Sequence, residues 1–364
     1  MSAIAEAPKV RSDQRVNEID LLRFVAALLV VVFHYAFRGY AADGLTALPY
    51  PELASTAKYG YLGVQLFFLI SGFVILMTAS SGSLQKFVVS RIVRLYPAFW
   101  VCCTTTFLLI AVIGGERFLA TVSQYLINMT MLNEFISVPS IDGVYWSLAV
   151  ELKFYTMVGL LLLVGQIHRA QWFLIFWLAV TILLEVFPVD RLRSALIVDY
   201  APFFIAGAMC FLIYSKGVSL LRVGIIIVAW IDAVRRSLLS ISGMESYYRA
   251  DFDPYVIAIA VSVFFAIMFL VGLKRTGLLG KRGWVTIGAL TYPLYLIHQY
   301  AGYMIFNLAY PSLNRHLLLW GTVVLMLLLA YAVNRMVEQK YSRDFKRGLE
   351  SVIAMLRKRL AVNI

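Results

Sequence analysis

Runs of apolar residues, each about 20 residues long, alternate with short polar segments along almost the whole chain. An apolar helix of that length can cross the hydrocarbon of a bilayer, whereas buried helices of soluble proteins are usually shorter. The pattern predicts an all-α, polytopic integral membrane protein with about ten transmembrane helices. The ten predicted spans are 19–38, 62–80, 95–113, 144–165, 170–188, 199–214, 219–240, 254–272, 284–308 and 316–336.

The composition supports this class of protein. Hydrophobic residues make up 61% of the chain, charged residues only 14%, and the mean hydropathy is +0.81. A soluble domain of 364 residues has too little interior to bury that much apolar surface. No small-residue cleavage pattern follows the first apolar run, which is therefore interpreted as a permanent span rather than a signal peptide.

The positions of the basic residues predict the orientation in the membrane. With the N-terminus cytoplasmic, inner segments hold twenty Lys and Arg residues and outer loops hold nine. Because cytoplasmic loops carry the excess of Lys and Arg, both termini are expected to be cytoplasmic. The same rule accounts for the net charge of +12 without nucleic acid as a partner.

Three regions follow from this topology. Residues 1–18 form a cytoplasmic N-terminal tail, residues 19–336 a transmembrane domain, and residues 337–364 a cytoplasmic C-terminal tail. In the last of these, apolar residues from Leu349 to Leu360 recur at helical spacing beside Arg357, Lys358 and Arg359. Such a basic amphipathic helix is expected to lie on membrane lipid.

Two ionisable residues inside the first predicted helix are the main candidates for chemistry. Ten residues separate Arg23 from His34. Eleven helical steps bring the two side chains to within about 20° of one face, about 16 Å apart. Ionisable groups within spans are costly and usually face a cavity, so both are expected to point inward. Alternatively, Arg23 is an interface anchor and His34 makes an interhelical hydrogen bond.

Further candidates lie in the second and third spans. Arg91 and Arg94 stand one turn apart at the predicted inner surface, where they serve either as a positive-inside anchor or as a clamp for phosphate. In the second span, Ser71 and Gly72 indicate close helix packing. A role for Ser71 as an acyl-carrying nucleophile is the less favoured interpretation.

The fourth span opens with Trp146 and Ser147 and carries Glu151 and Tyr155 one to three turns further on. A carboxylate at that depth can orient an imidazole or hold an acceptor hydroxyl, and the surrounding polar and aromatic side chains are typical of sugar sites. The structural alternative is a buried pair with a nearby cation.

The ninth span holds the second intramembrane histidine. His298 follows Pro293, which is expected to bend the helix, and it either lines the same cavity as His34 or has a packing role.

Two polar features of the spans are interpreted as structural. Asp232, Arg235 and Arg236 interrupt the seventh span at spacings that allow an ion pair on one helix face. The cysteines Cys102, Cys103 and Cys210 lie within predicted spans and show neither a disulfide framework nor metal-ligand spacing. They are therefore expected to be small buried apolar residues, and no metal is expected.

The order of several motifs resembles that of the acyltransferase 3 family of membrane O-acyltransferases. The resemblance covers nearly the whole chain: it begins with EIDLLRFVAALLVVVFHY, continues through FFLISGFVI, RIVRLYP, YWSLAVELKFY and YPLYLIHQ, and ends with VEQKYSRDFKR. The family pattern of a basic residue, ten residues and a histidine falls on Arg23 and His34. Many members carry a second acidic residue directly after the one matched by Glu151, where this chain has Leu152.

The resemblance implies transfer of an acyl group from cytosolic acetyl-CoA to a sugar hydroxyl, in an exopolysaccharide or a lipid-linked saccharide. His34 is then the base or a transient acyl carrier, and Glu151 orients the imidazole or the sugar. The implied donor-binding residues are Arg23, Arg91 and Arg94, and the implied acceptor-binding residues are Trp146, Ser147, Tyr155 and His298. The resemblance also implies a location in the bacterial inner membrane, and a polysaccharide assembly machinery is a further expected partner.

Two other classes of function fit some of these residues. A transporter or flippase for a lipid-linked saccharide would use His34, Glu151 and His298 as a proton relay. Transporters often show two related halves, and the sequence shows no such repeat. A non-catalytic scaffold leaves Arg23 and His34 without a purpose and is the least favoured class.

Overall fold

The computed structural model describes residues 15–362, so most of the predicted N-terminal tail lies outside the described residues. Within that range every regular element is a helix, as the apolar pattern predicts. The eleven long helices are α1 (Asn17–Phe33), α2 (Leu62–Ala79), α3 (Leu84–Ile113), α4 (Trp146–Leu163), α5 (Ala170–Val186), α6 (Ala201–Lys216), α7 (Leu220–Leu239), α8 (Pro254–Gly272), α9 (Val285–Ala309), α10 (Arg315–Val333) and α11 (Gln339–Val362).

Seven helical segments of the described chain are long and apolar enough to cross a membrane. They contain α1, α2, α3, α4, α5, α8 and α10. Helix α6 is apolar but shorter, and α7 carries the charged residues noted above. The chain is therefore a multi-pass helical membrane protein.

Helix α3 begins eleven residues earlier than the apolar run predicts. Its first residue is Leu84, and the Ser83 side chain accepts a hydrogen bond from the backbone N–H of Lys86. A serine in this position satisfies one of the free N–H groups of the first helical turn and so defines where the helix starts. The polar first turns therefore belong to the same helix as the apolar span that follows.

The chain divides into two compact units. The first unit comprises 15–26, 61–82 and 150–288. Within it, α2 and α6 pack so closely that a Cβ atom on Gly72 would overlap the carbonyl of Phe204, and one on Gly207 would overlap that of Leu69. The predicted role of Gly72 in close helix packing is confirmed.

A network of ion pairs crosses the helices of the first unit. On α7, Asp232 accepts from Arg235 at 2.9 Å and from Arg236 at 2.8 Å, which confirms the predicted local ion pair. Both arginines also bond to Glu185 of α5. Since Asp232 and Arg236 are buried, each charge needs these partners to offset its loss of hydration.

The second unit comprises 27–60, 83–149 and 289–362. The end of the α1 segment packs tightly against α9 in this unit. The Tyr35 ring occupies the space beside Gly302, where any Cβ would overlap it, and the Tyr303 ring lies in the same way against Gly39. These two small residues allow the backbones to approach, which brings polar side chains of both helices into contact.

Each of two helices is interrupted by one π-helical turn. The first, His34–Arg38, follows α1 directly, and the second, Asn334–Glu338, joins α10 to α11. Single π-helical turns are rare and occur often at functional sites. The three cysteines are free and buried, as expected from the sequence.

Candidate functional site

The buried end of the α1 segment carries the principal candidate, His34. It is the first residue of the π-helical turn and is 4% exposed. Residues 17–33 before it are regular α-helix, as the predicted angular relation with Arg23 requires. Arg23 itself is half-buried and lies in the part of α1 that belongs to the first unit.

The structure pairs His34 with the second intramembrane histidine. Nε2 of His298 lies 3.1 Å from Nδ1 of His34, and the ring centroids are 5.0 Å apart in an edge-on arrangement. His298 is fully buried on α9, five residues after Pro293. The sequence names both residues as candidates, and the fold joins them in one hydrogen-bonded pair.

Hydrogen bonds from neighbouring side chains fix α9 around this pair. The Tyr35 hydroxyl donates to the backbone carbonyl of His298 at 2.6 Å. The hydroxyls of Ser147 and Tyr295 lie 2.7 Å apart. The predicted acceptor-binding residue Ser147 is thus buried and tied to α9 one turn from His298, while Trp146 begins α4 and is half-buried.

A buried carboxylate that the sequence analysis missed lies in the loop before α4. Oδ2 of Asp142 accepts from the backbone N–H of Tyr300 at 3.0 Å, and Oδ1 accepts from that of Val144 at 3.2 Å. Burial raises the pKa of Asp142 to about 7, against the opposing effects of both N–H donors and Arg38. An aspartate placed directly before a helix is a typical N-terminal cap, which is the signal that would have found it.

The arginine pair of α3 has different surroundings at its two positions. Arg94 donates to the carboxylate of Glu338 at 3.0 Å and lies over the Tyr292 ring at 5.6 Å. Glu338 ends the second π-helical turn and also accepts from Asn334 at 2.6 Å. Arg91 donates to the neighbouring Ser90 hydroxyl. Glu338 was not predicted, because sequence spacing alone does not join α3 to the end of α10.

Glu151 forms a separate group in the first unit. Its carboxylate accepts from the Ser71 hydroxyl at 2.6 Å and from the Tyr155 hydroxyl at 2.8 Å. Tyr155 lies one helical turn beyond Glu151 on α4, as expected from the sequence. Ser71 was predicted chiefly as a packing residue, and its hydroxyl also offsets part of the desolvation cost of the half-buried carboxylate.

Within residues 15–362 no group of three or more His, Cys, Asp or Glu side chains is placed to hold a metal ion. The described residues offer three chemical groups: the buried imidazole pair of His34 and His298, the carboxylate of Asp142, and the guanidinium group of Arg94. Imidazole handles protons near neutral pH, and guanidinium binds phosphate through two parallel hydrogen bonds. This combination is suited to group transfer with a phosphate-bearing donor.

Comparison with known families agrees with that chemistry. A family model described as an acyltransferase domain matches residues 16–335. The class is therefore a multi-pass membrane protein whose helices contain a domain of the acyltransferase type. The chain belongs to the acyltransferase 3 family.

Curated relatives match part of the chain. It is 31% identical over 166 residues to nodulation protein 10 of Rhizobium leguminosarum bv. viciae, covering 40% of this chain and 44% of that protein. It is 30% identical over 156 residues to an O-acetyl transferase of Shigella phage Sf6, covering 39% and 45%. It is also 30% identical to the acyltransferase MdmB of Streptomyces mycarofaciens over 152 residues, covering 39% and 38%. The matches thus span less than half the length of these relatives, and no solved structure matches the chain.

Proposed function

We propose that this protein moves an acetyl group from cytosolic acetyl-CoA to a hydroxyl of an extracytoplasmic or lipid-linked saccharide, such as an exopolysaccharide. The observation that carries the proposal is the buried His34, held by His298 on a π-helical turn inside the family-matched region. The name of the phage relative, O-acetyl transferase, supports transfer to oxygen.

The proposed donor site uses the arginines of α3. Arg91 and Arg94 would bind the phosphates of the coenzyme at the cytoplasmic surface, with Arg23 as a further contact. The distance of about 16 Å that a helix places between Arg23 and His34 is of the order of a pantetheine arm. If the phosphates of acetyl-CoA are bound at the surface, its thioester would then reach the depth of the His34 imidazole.

At the reacting end, His34 would remove the proton of the acceptor hydroxyl while the hydroxyl oxygen attacks the thioester carbonyl. A transient acetyl-imidazole is the alternative route through the same residue. Trp146 and Ser147 would contact the acceptor sugar. Glu151 and Tyr155 are proposed to bind an acceptor hydroxyl through the carboxylate.

The proposed membrane arrangement has ten spans, α1 to α10, with both termini in the cytoplasm of a bacterial cell. It rests on the twenty inner and nine outer basic residues of the sequence and on the helices found in every predicted span. The basic helix α11 would then lie along the inner membrane face, on lipid. A polysaccharide assembly machinery is the proposed protein partner.

The test is to compare His34→Ala with the control His168→Ala, in which an exposed loop histidine is replaced. Both are produced at equal levels, labelled acetyl-CoA is supplied, and label on the cell-surface glycan is measured. We expect loss of transfer in His34→Ala and normal transfer in the control. Normal transfer in His34→Ala would exclude this histidine as the reactive group. The transporter alternative predicts that label stays on the coenzyme even in the unmodified protein.

A further inference from the structure

The two intramembrane histidines are arranged so that only certain ring nitrogens carry hydrogen. Both rings are buried, and each Nδ1 atom lies close to a backbone carbonyl of its own helix. A carbonyl oxygen accepts a hydrogen bond and does not donate one. The positions of the carbonyls therefore identify the protonated nitrogen of each neutral ring.

In His298, two backbone carbonyl oxygens of α9 lie within hydrogen-bond distance of Nδ1. This atom is 2.8 Å from the oxygen of Tyr295 and 3.2 Å from that of Leu294. Nδ1 must therefore donate, and in the neutral ring Nε2 keeps a lone pair. That lone pair faces Nδ1 of His34 at 3.1 Å.

For His34 the same reasoning applies. Its Nδ1 lies 2.8 Å from the carbonyl oxygen of Val30, so it carries hydrogen and shares it with Nε2 of His298. The remaining nitrogen of His34, Nε2, then holds a lone pair. Within the described residues no hydrogen bond occupies this atom. It is the nitrogen from which a base would act.

We propose that His298 is a positioning residue, which holds His34 in the tautomer whose Nε2 can accept a proton. This inference rests on the proposed function, in which His34 is the reactive base. His298 takes the place that a carboxylate has in a serine hydrolase triad: it orients the imidazole and accepts its Nδ1 hydrogen. It replaces the expectation from the sequence that His298 contacts the acceptor.

The surroundings of His298 suit a fixed orientation. The carbonyl of His298 accepts from Tyr35, and the next turn is held by the bond from Tyr300 to Asp142. The backbone at His298 and two residues further on is thus tied to other segments of the same unit. A positioning residue needs such support, because a misplaced base loses much of its effect.

In the reaction, Nε2 of His34 takes the proton of the acceptor hydroxyl as the hydroxyl oxygen forms a bond to the thioester carbon. The carbon–sulfur bond breaks, and the proton passes from Nε2 to the leaving thiolate. The products are the acetyl ester and free coenzyme thiol. While His34 carries the proton, its positive charge is stabilised by the two hydrogen-bond acceptors at Nδ1, the Val30 carbonyl oxygen and Nε2 of His298.

Two variants separate positioning from packing. His298→Phe keeps a ring and removes the acceptor, while His298→Gln offers an amide oxygen at about the reach of Nε2. The assay uses vesicles that contain the full-length protein and labelled acetyl-CoA. We expect kcat to fall about 100-fold or more in His298→Phe, because the general base His34 would lose the group that orients it. In His298→Gln it should stay within about tenfold of the unmodified protein. KM for acetyl-CoA should change in neither variant.

Three results would overturn the proposal: full activity in His298→Phe, an equal loss in both variants, or a rise in KM with kcat unchanged.

A second measurement does not depend on activity. In a His168→Gln, His316→Gln background, ¹⁵N NMR should show hydrogen on both Nδ1 atoms and coupling between Nδ1 of His34 and Nε2 of His298. Hydrogen on Nε2 of His34 would refute the tautomer. If the tautomers are correct but no acetyl group is transferred, the proposed function has failed and the histidine pair stands.

Discussion

The guanidinium of Arg94 donates to the carboxylate of Glu338 at 3.0 Å, although the two residues lie on helices far apart in sequence. Arg94 is 36% exposed and Glu338 only 10%. A phosphate that binds Arg94 must therefore compete with a carboxylate that is already in place. This relationship gives the first prediction for the proposed donor site.

Replacing Glu338 with Gln should strengthen donor binding, because it removes the negative charge that competes with a phosphate for the Arg94 guanidinium group. We expect affinity for acetyl-CoA in detergent to rise by about threefold to tenfold, within the range of a partly exposed ion pair. Arg94→Ala should weaken binding at least tenfold. Titration calorimetry measures both effects.

The matched control is Glu350→Gln, in which an exposed carboxylate paired with Lys346 at 3.9 Å on α11 is neutralised. It should leave the affinity unchanged. Weaker binding in Glu338→Gln would mean that the carboxylate supports the donor site instead of competing with the donor.

The raised pKa of Asp142 predicts that the free energy of unfolding depends on pH. Its pKa is raised to about 7 by burial, so the folded state holds the proton more tightly than the unfolded state, where the reference value is 3.8. The stabilisation is complete below pH 3.8 and is lost as pH rises through about 7, at a cost of about 4 kcal/mol once the carboxyl is ionised. Thermal unfolding in detergent at several pH values measures this loss.

Asp142→Asn should flatten the pH dependence over the same interval, because the amide does not titrate. The control Asp344→Asn replaces an exposed carboxylate on α11 and should retain the dependence of the unmodified protein. An unchanged slope in Asp142→Asn would assign the titration to another group.

The close approach of α2 and α6 predicts that the first unit does not accept a side chain at Gly72. In Gly72→Ala the added methyl group would meet the Phe204 carbonyl, which belongs to the backbone and has little room to move. We expect a loss of about 1–3 kcal/mol in unfolding free energy, measured by thermal unfolding in detergent.

Gly224→Ala is its control, since a Cβ at this helical position of α7 meets open space. This control should be neutral or slightly stabilising. Equal stability of the two variants would contradict the packing described for α2 and α6.

The Ser71 hydroxyl serves Glu151 as a hydrogen-bond donor, so Ser71→Ala should keep acetyl transfer within about tenfold of the unmodified protein. Loss of a bond to a carboxylate costs about 1.5–3 kcal/mol, which should appear as reduced thermal stability. Ser215→Ala removes a hydroxyl that donates to the Phe211 carbonyl of its own helix and serves as the reference. Complete loss of transfer in Ser71→Ala, with the protein folded, would instead identify Ser71 as an acyl carrier.

Local periodicity gave the helical class, the positions of the apolar helices, and the ion pair at Asp232. It also singled out His34 and His298, because ionisable groups are unusual in apolar runs, and Arg94, because it stands one helical turn from Arg91. It did not give their partners. His34 meets His298, and Arg94 meets Glu338, only after distant segments pack together, and no spacing rule along one helix describes such contacts.

The start of α3 and the role of Asp142 were missed for a different reason. Both depend on short-range capping of a helix end, by Ser83 in one case and Asp142 in the other. These signals are weak in sequence because serine and aspartate are also common in loops. A boundary drawn from hydropathy alone therefore falls inside the true helix.

The π-helical turn at His34 has a consequence for insertions and deletions. A π turn holds one residue more than an α turn, so removing a single residue between Tyr35 and Arg38 would restore ordinary helical winding. Because the π turn accommodates its extra residue within one turn of the helix, the side chains beyond the deletion would keep nearly their present direction about the helix axis. Gly39 could therefore keep its place against α9 after such a deletion. Removing one residue from the regular helix between Arg23 and His34 would instead turn one part of the helix by about 100° relative to the other, so that these two residues no longer share a face.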